Sequence, residues 1–327
     1  VSMADVAAAA GVSGQTVSRV VNSSPRVDPA TRARVEAAMA QLGYRPHRAA
    51  RALRTGRTQT LGLVVSTLAS VGNSRMLQAV ADAAAARGYA LTVVTLGAAA
   101  DVRGAFERLS DQGVDGAVVL NEATAAALGT TGPRGLRLVV VDAPPGTVGV
   151  GIVQSDHAEG ARSATTHLLG LGHRTVHHVA GPEGSFAAAE RERGWREALA
   201  AAGRTAPAVA RGDWTAASAH SASASLARDP AVTAVFAAND QSALGAIRAF
   251  AEAGRRIPED VSIVGFDDIA DAADYRPPLT TVRQDFDRLG ELAVSALVAG
   301  IEDRASGFHV VPTTLVVRES SAPPLTR

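Results

Sequence analysis

Two parts of this sequence carry side chains whose type and spacing could do chemistry. The first is GVSGQTVSRVVN, residues 11–22. Gln15 and Arg19 stand about one helical turn apart there, while Val17, Val20 and Val21 share the opposite side. Gln pairs bidentately with adenine, and Arg with O6 and N7 of guanine, so the chemistry is recognition of base edges in a DNA major groove. Thr16, Ser18 and Asn22 are short donors suited to phosphates, which position a protein without specifying a sequence. The second part is dispersed. Apolar runs end in polar groups at VVVD (Asp142), AAND (Asn239, Asp240) and GFDD (Asp267, Asp268). If those runs are parallel strands, their ends are where an open α/β sheet binds a ligand.

Other clusters carry less. His173, His177 and His178 suggest a metal, but His177 and His178 are adjacent and point to opposite faces of a strand, with no further ligand at metal spacing nearby. Ser185 in GPEGS lacks the glycine that follows a nucleophile at a strand-to-helix elbow. The chain has no cysteine, which removes disulfides, thiolate metal sites and thiol catalysis. No glycine-rich dinucleotide fingerprint is present. No catalytic constellation emerges, so neither an enzyme, a metal nor a cofactor is expected.

Positioning Gln15 and Arg19 requires a small helical head. Ser2 and Asp5 form a capping box, Val6 and Ala10 share a face, and Gly11 can take the left-handed conformation that stops a helix. Ser13 caps a second helix, which makes a helix-turn-helix with the second helix presented to the groove. Asp28 opens a third helix with Val35, Met39 and Leu42 as its core face, ending at Gly43. Charge agrees with this. Residues 1–57 hold nine Arg against Asp5, Asp28 and Glu36, a balance of +6. The whole chain is neutral, so the remainder carries −6. A basic head on an acidic body fits a polyanion partner.

The 327 residues exceed one compact core. From Thr60 onward strands such as LGLVVS, ALTVVTL, DGAVVL and LRLVVVD alternate with helices, among them one over 73–88, and the alternation continues to VSIVGFDD. Such β–α repetition builds parallel sheets. HVVPTTLVVRES reads as one last strand. Asp156 and Glu159 read as the cap and first-turn charge of a helix.

The stretches ADVAAAAGVSGQTVSRVVN and TRARVEAAMAQLGYRPHRAARAL resemble the DNA-binding head of the LacI/GalR family of transcriptional regulators. GHRTVHHVAGPEGSF, RERGW, RGDW, VFAANDQSALGAIRAF, IPEDVSIVGFDD and PPLTTVRQDFDRLG resemble the same family's core. The resemblance implies an α/β fold: a helix-turn-helix head over 1–45, a hinge helix and linker over 46–59, and a two-lobed periplasmic-binding-protein-like core with parallel sheets over 60–327. Lobe 1 is expected over about 60–154 plus 285–312, and lobe 2 over about 155–284 plus 313–327. It places Gly14, Gln15 and Arg19 at base-reading positions, with Ser13, Thr16, Ser18, Asn22, Tyr44 and Arg48 also against DNA. Gly14 departs from many members, which carry a larger side chain there. HRAARALR would fold on DNA as a hinge helix, with Ala50 and Leu53 in the minor groove and Leu53 as the wedge. In the core it implies a sugar site of Asp142, Arg191, Trp214, Asn239, Asp267 and Gln284, with Phe286 as apolar wall and Ser66 facing the cleft. Ala187 and Val71 lie where a sugar contact could be polar. Each has a plainer alternative: Asp142 and Asp267 as turn caps, Trp214 as core, Arg191 as a solvated helix face.

The function implied is a sequence-specific repressor of double-stranded, pseudo-palindromic operator DNA, controlled by a small sugar, a galactoside or related one, that acts as inducer. A homodimer is expected, with the helix over 73–88 and the helix QSALGAIRAFAEAG in its face. No leucine heptad follows LVVRES, so a coiled-coil tetramer is not expected. No signal peptide and no membrane-spanning run are seen, which fits the cytoplasm and argues against a secreted sugar-transport protein. A purine- or nucleoside-responsive repressor of the same fold stays open.

Overall fold

The computed structural model describes residues 1–22, 24–44, 56–97, 101–128, 130, 135–144, 147, 149–302 and 307–325. The expected hinge residues Arg48, Ala50 and Leu53 lie outside them. The chain divides into two compact units, Val1–Gln59 and Thr60–Arg327.

In the first unit, α1 (Met3–Ala10), α2 (Gly14–Val21) and α3 (Pro29–Leu42) are each started by a side-chain cap. The Ser2 hydroxyl accepts from the Asp5 N–H and the Asp5 carboxylate accepts from the Ser2 N–H at 2.7 Å, a reciprocal capping box. Ser13 Oγ accepts from the Thr16 N–H at 3.2 Å, and Asp28 from the Thr31 N–H at 2.9 Å. Gly11, at φ +62, ends α1 in the left-handed region where a side chain is disfavoured. Val6, Val17, Val20 and Val35 are buried together with Ala38 and Tyr44. Met39 and Leu42 are only partly buried, so Val35 and Ala38 carry the core face of α3.

In the second unit the alternation begins with β1 (Thr60–Val65), α4 (Val71–Ala86), β2 (Ala90–Thr95), α5 (Val102–Asp111), β3 (Gly116–Val119), α6 (Glu122–Leu128), β4 (Arg137–Val141) and β5 (Gly151–Ser155). It continues through α7 (His157–Gly170), β6 (His177–Ala180), α8 (Phe186–Ala201), β7 (Ala210–Arg211), α9 (Ala216–Arg228), β8 (Ala234–Ala237), α10 (Asp240–Glu252) and β9 (Ser262–Asp267). A short 3-10 turn (Ala270–Asp274), β10 (Thr280–Arg283), α11 (Phe286–Ile301), β11 (Phe308–Val311) and β12 (Thr314–Val316) follow. Helix α4 starts at Val71, ahead of the expected 73, because Ser70 Oγ accepts from the Asn73 N–H at 3.3 Å and caps it there.

The strands make two sheets, ordered β11-β5-β4-β3-β1-β2 and β12-β10-β9-β8-β6-β7. Every described pairing is parallel except β10 with β12. The first sheet packs on α4 and α11 through Met76, Val80, Leu289 and Leu297, and on α5 through Phe106 and Leu109. The second packs on α9 and α10 through Ala219, Ala246 and Phe250, and on α7 and α8 through Leu168, Trp195 and Leu199. The chain passes between the sheets after β5, after β10 and after β11. The stretch HVVPTTLVVRES is therefore two strands, not the single one expected. Pro312 has no N–H to donate, and the chain leaves one sheet at Val311 and joins the other at Thr314.

Candidate functional site

On the head, the polar residues of α2 separate by their partners. Ser13 and Thr16 are joined through the cap and a 3.0 Å hydroxyl contact. Asn22 donates back to the Ser18 carbonyl at 2.6 Å and to its hydroxyl at 3.3 Å. Gln15 and Arg19 are exposed and have no partner among the described residues. They are the long side chains α2 leaves open to an external ligand. Gly14 is exposed too, and a Cβ there would meet nothing within 4 Å. Tyr44, expected against DNA, is 9% exposed. The core formed by α1, α2 and α3 encloses its ring, so the structure gives it a packing role and little free surface.

In the second unit, Asp142, Arg191, Trp214, Asn239, Asp267, Gln284 and Phe286 line one cleft. It lies beyond the carboxyl ends of the strands, where open sheets hold ligands. Five of the six described non-glycine residues with positive φ sit at those ends: Asn121 (+48), Asp142 (+64), Trp214 (+76), Asp267 (+114) and Asp268 (+52). Left-handed backbone at such residues costs about 1–3 kcal/mol each and collects at functional sites. Ser66 does not line the cleft. β1 ends at Val65, the loop carries the chain on to Ser70, and Ser70, Gly72 and Asn73 occupy that end instead. Ala187 lines the cleft. Val71 instead packs against the apolar core of the second sheet, and its N–H donates to Gln241 Oε1 at 3.1 Å.

Arg191 organises the floor and is 4% exposed. Its Nη1 donates to the Ala238 carbonyl, its Nε donates to His157 Nδ1 at 3.3 Å, and its Nη2 lies 3.5 Å from Asp267 Oδ1. The guanidinium carbon stands 3.9 Å from the Phe266 ring centre and 5.3 Å from that of Trp214. Because His157 Nδ1 accepts from Arg191, its Nε2 carries the hydrogen donated to Asp142 Oδ1 at 2.8 Å. Burial pushes Asp267 above the usual carboxylate range, opposed by Arg191 and by Gln284, whose Nε2 donates to it at 2.7 Å. Burial likewise lowers Arg191 against the attraction of Asp267. Desolvation therefore outruns the pair's mutual attraction on both sides. Deeper, Asp240 lies well above the carboxylate range, first from burial and then from Asp267. It accepts from Thr281 Oγ1 at 2.5 Å and from the Ile269 N–H at 2.9 Å.

Trp214 is seated by several contacts. A Cβ at Gly181 would fall 2.5 Å from its ring, so only glycine admits it. Asn239 Nδ2 donates to the Trp214 carbonyl at 3.1 Å while its Oδ1 caps α10, accepting from Ser242 at 2.8 Å. The indole Nε1 donates to Glu122 Oε1 at 2.8 Å. Asn121 Nδ2 donates to Asn73 Oδ1, and Asn73 Nδ2 to the Thr67 carbonyl at 2.9 Å. Each amide, indole and guanidinium group of the lining thus has at least one protein acceptor, while the amides and Arg191 keep further N–H groups. Glu122 Oε2, Asp142 Oδ2 and Asp267 Oδ2 accept no hydrogen bond among the described residues. The cleft sets open carboxylate oxygens and remaining N–H groups beside an aromatic face, which suits a ligand rich in hydroxyl groups, since a hydroxyl both donates and accepts.

Sequence reasoning passed over His157, Glu122, Asn73 and Asn121. His157 falls in SDHAEGA, where the helix start at Asp156 absorbed the reading, and Asp156 does cap α7 with Glu159 in its first turn. Among the described residues no group of His, Cys, Asp or Glu could hold a metal ion, and no helix is long and apolar enough to cross a membrane.

Residues 2–47 match the lacI family of bacterial regulatory proteins, and residues 165–321 match a periplasmic binding protein-like domain. The lactose operon repressor of Escherichia coli K12 is 36% identical over 336 residues, spanning 100% of this chain and 92% of its own. A crystal structure of the lac repressor dimer bound to operator and the anti-inducer ONPF superposes with a TM-score of 0.87 at 34% identity, covering 98% of this chain and 99% of that one. A complex of the transcriptional regulator CelR with cellobiose gives a TM-score of 0.72 at 35% identity, with the same coverage. A three-helix head with two exposed, unpartnered long polar side chains on α2, a two-sheet core with a polar cleft and full-length relatives at this identity agree: the chain belongs to the lacI family of bacterial regulatory proteins.

Proposed function

We propose that this chain is a transcriptional repressor that reads operator DNA with α2 and loosens its hold when a small neutral sugar fills the cleft. The observation that carries the effector class is the polar lining of the cleft, with three carboxylate oxygens open and an indole at the wall. Vicinal hydroxyls donate to such oxygens, and the apolar face of a sugar ring covers an aromatic surface. A purine such as hypoxanthine would bring fewer donors to those oxygens. The relatives' ligands support a glycoside, either a galactoside or a glucose disaccharide such as the cellobiose bound by CelR.

In this reading the head spans 1–45, the hinge 46–59 and the core 60–327. Gln15 and Arg19 contact base edges, and Gly14 leaves one reading position without a side chain. Two chains act together in the cytoplasm, one for each half of a two-fold operator, with α4 and α10 in the dimer face. Leu244, on α10, is 43% exposed, which fits an apolar contact there. Sugar binding must favour one arrangement of the core over the other for operator affinity to change.

A thermal-shift panel of lactose, cellobiose, galactose and glucose against hypoxanthine and guanine tests the effector class. At least one sugar is expected to raise the melting temperature and neither purine to do so; the reverse pattern overturns the reading. For the head, Arg19→Ala is expected to lose about 1–3 kcal/mol of preference for a palindrome with a central CG step over scrambled DNA, while the sugar response stays. Unchanged selectivity in a gel shift removes Arg19 from base reading.

A further inference from the structure

Glu122 opens α6 at the carboxyl end of β3, in the first sheet. Its partner Trp214 follows β7, in the second. Everything else that seats Trp214 belongs to the second half: Gly181 beneath the ring, Asn239 on the carbonyl and Arg191 beside the indole. The 2.8 Å bond from Trp214 Nε1 to Glu122 Oε1 is therefore a direct tie across the cleft, between residues 92 apart in the chain.

Glu122 is also the third carboxylate of the lining, with Asp142 and Asp267, against a single guanidinium. That guanidinium is engaged by the Ala238 carbonyl and His157 and already stands against Asp267, so much of its charge is answered within the protein. An anionic ligand would meet like charge at short range in a half-dry cleft, where such repulsion is strong. A hydroxyl would meet an ionised acceptor, and hydrogen bonds to ionised groups are roughly twice as strong as neutral ones.

We propose that Glu122 is a specificity-determining residue of the cleft. Its Oε1 clasps the Trp214 indole across the two halves, while its Oε2 accepts a hydroxyl of a neutral glycoside and turns away glycosides carrying carboxylate or phosphate. The specificity half rests on the reading of the cleft as a sugar site; the clasp does not.

Two substitutions separate the parts. Glu122→Gln keeps an acceptor for the indole and replaces the open oxygen with an N–H₂ donor, and Glu122→Ala removes both. Emission of the sugar-free protein reads the clasp, with Trp214→Phe supplying the background of Trp195. Glu122→Ala is expected to shift Trp214 emission and raise its quenching by acrylamide, and Glu122→Gln to leave quenching near wild type. Identical spectra and quenching in Glu122→Ala overturn the clasp. Calorimetry with lactose and cellobiose, beside methyl β-glucuronide and glucose 6-phosphate, reads specificity. The wild type is expected to bind a neutral disaccharide and neither anion. Glu122→Gln is expected to weaken the neutral ligand about tenfold and to bind an anion measurably. Neutral affinity unchanged in Glu122→Gln, with the anions still excluded, overturns the specificity role. If no neutral sugar binds the wild type, the sugar reading falls and takes that role with it, and the clasp is still decided by the sugar-free spectra.

Discussion

At the scale of single residues, the cleft is organised by His157. It stands between a carboxylate and a guanidinium, donating to Asp142 and accepting from Arg191, and is 3% exposed. Removing it would leave both groups short of a partner inside the protein, and a buried polar group without one costs about 1–3 kcal/mol. His157→Ala is expected to lower the melting temperature and weaken effector binding; His157→Gln, which restores a donor toward Asp142, should recover part of both. Melting and titration indistinguishable from wild type in His157→Ala would dismiss the role. His157 also marks the limit of what the sequence made legible. Asp142, Asn239 and Asp267 announce themselves as polar ends of apolar runs, because strand ends are local features. His157 takes its meaning from partners 15 and 34 residues away, and Glu122 from one 92 away. No local pattern encodes those distances. Ser66 failed for the complementary reason, since its place depended on where the following helix was capped.

At the scale of elements, the sequence displayed alternation clearly and the contacts between helices hardly at all. Gly245 lies in α10 where a Cβ would sit 2.1 Å from the Ala216 carbonyl oxygen of α9. Gly194 stands likewise in α8, 2.0 Å from the Ala158 carbonyl oxygen of α7. Neither position is marked out by its local sequence, and both let backbones touch. Gly14 is the opposite case, at the start of α2 with open space around it. One substitution should therefore act with opposite signs. Gly14→Ala restricts the unfolded chain and is expected to stabilise the head by about 0.5 kcal/mol. Gly245→Ala gains in helix propensity but drives a methyl into backbone, and is expected to destabilise the core by about 1–3 kcal/mol. Thermal melts of the two variants check the pair; a stabilised Gly245→Ala would mean that α9 and α10 part readily.

At the scale of the whole molecule, the response to acid follows from where titratable groups are buried. His178 lies in the core of the second sheet, stacked on Phe236 at 4.8 Å, with Nδ1 on the Phe236 carbonyl and Nε2 without a partner. Burial lowers it from 6.5 to about 4, and lowers His167, His173 and His177 in the same direction. Between those two values the unfolded chain binds a proton that folded His178 refuses, so its contribution falls as pH drops from 6.5 toward 4. For His178 alone the loss is about 2 kcal/mol by pH 5. Asp240 acts in the opposite sense. Its folded value lies well above 3.8, so its burial penalty is largest at neutral pH and is relieved as pH falls through the raised value. Two variants separate these contributions by slope, whatever their absolute stability. His178→Asn is expected to lose less melting temperature between pH 7 and pH 5 than wild type. Asp240→Asn can donate to Thr281 Oγ1 and still accept from the Ile269 N–H. It is expected to melt higher than wild type at pH 7 and to fall more steeply with acid, because the relief is gone. Parallel melting curves for all three proteins across that range would show that neither burial sets the acid response of the core.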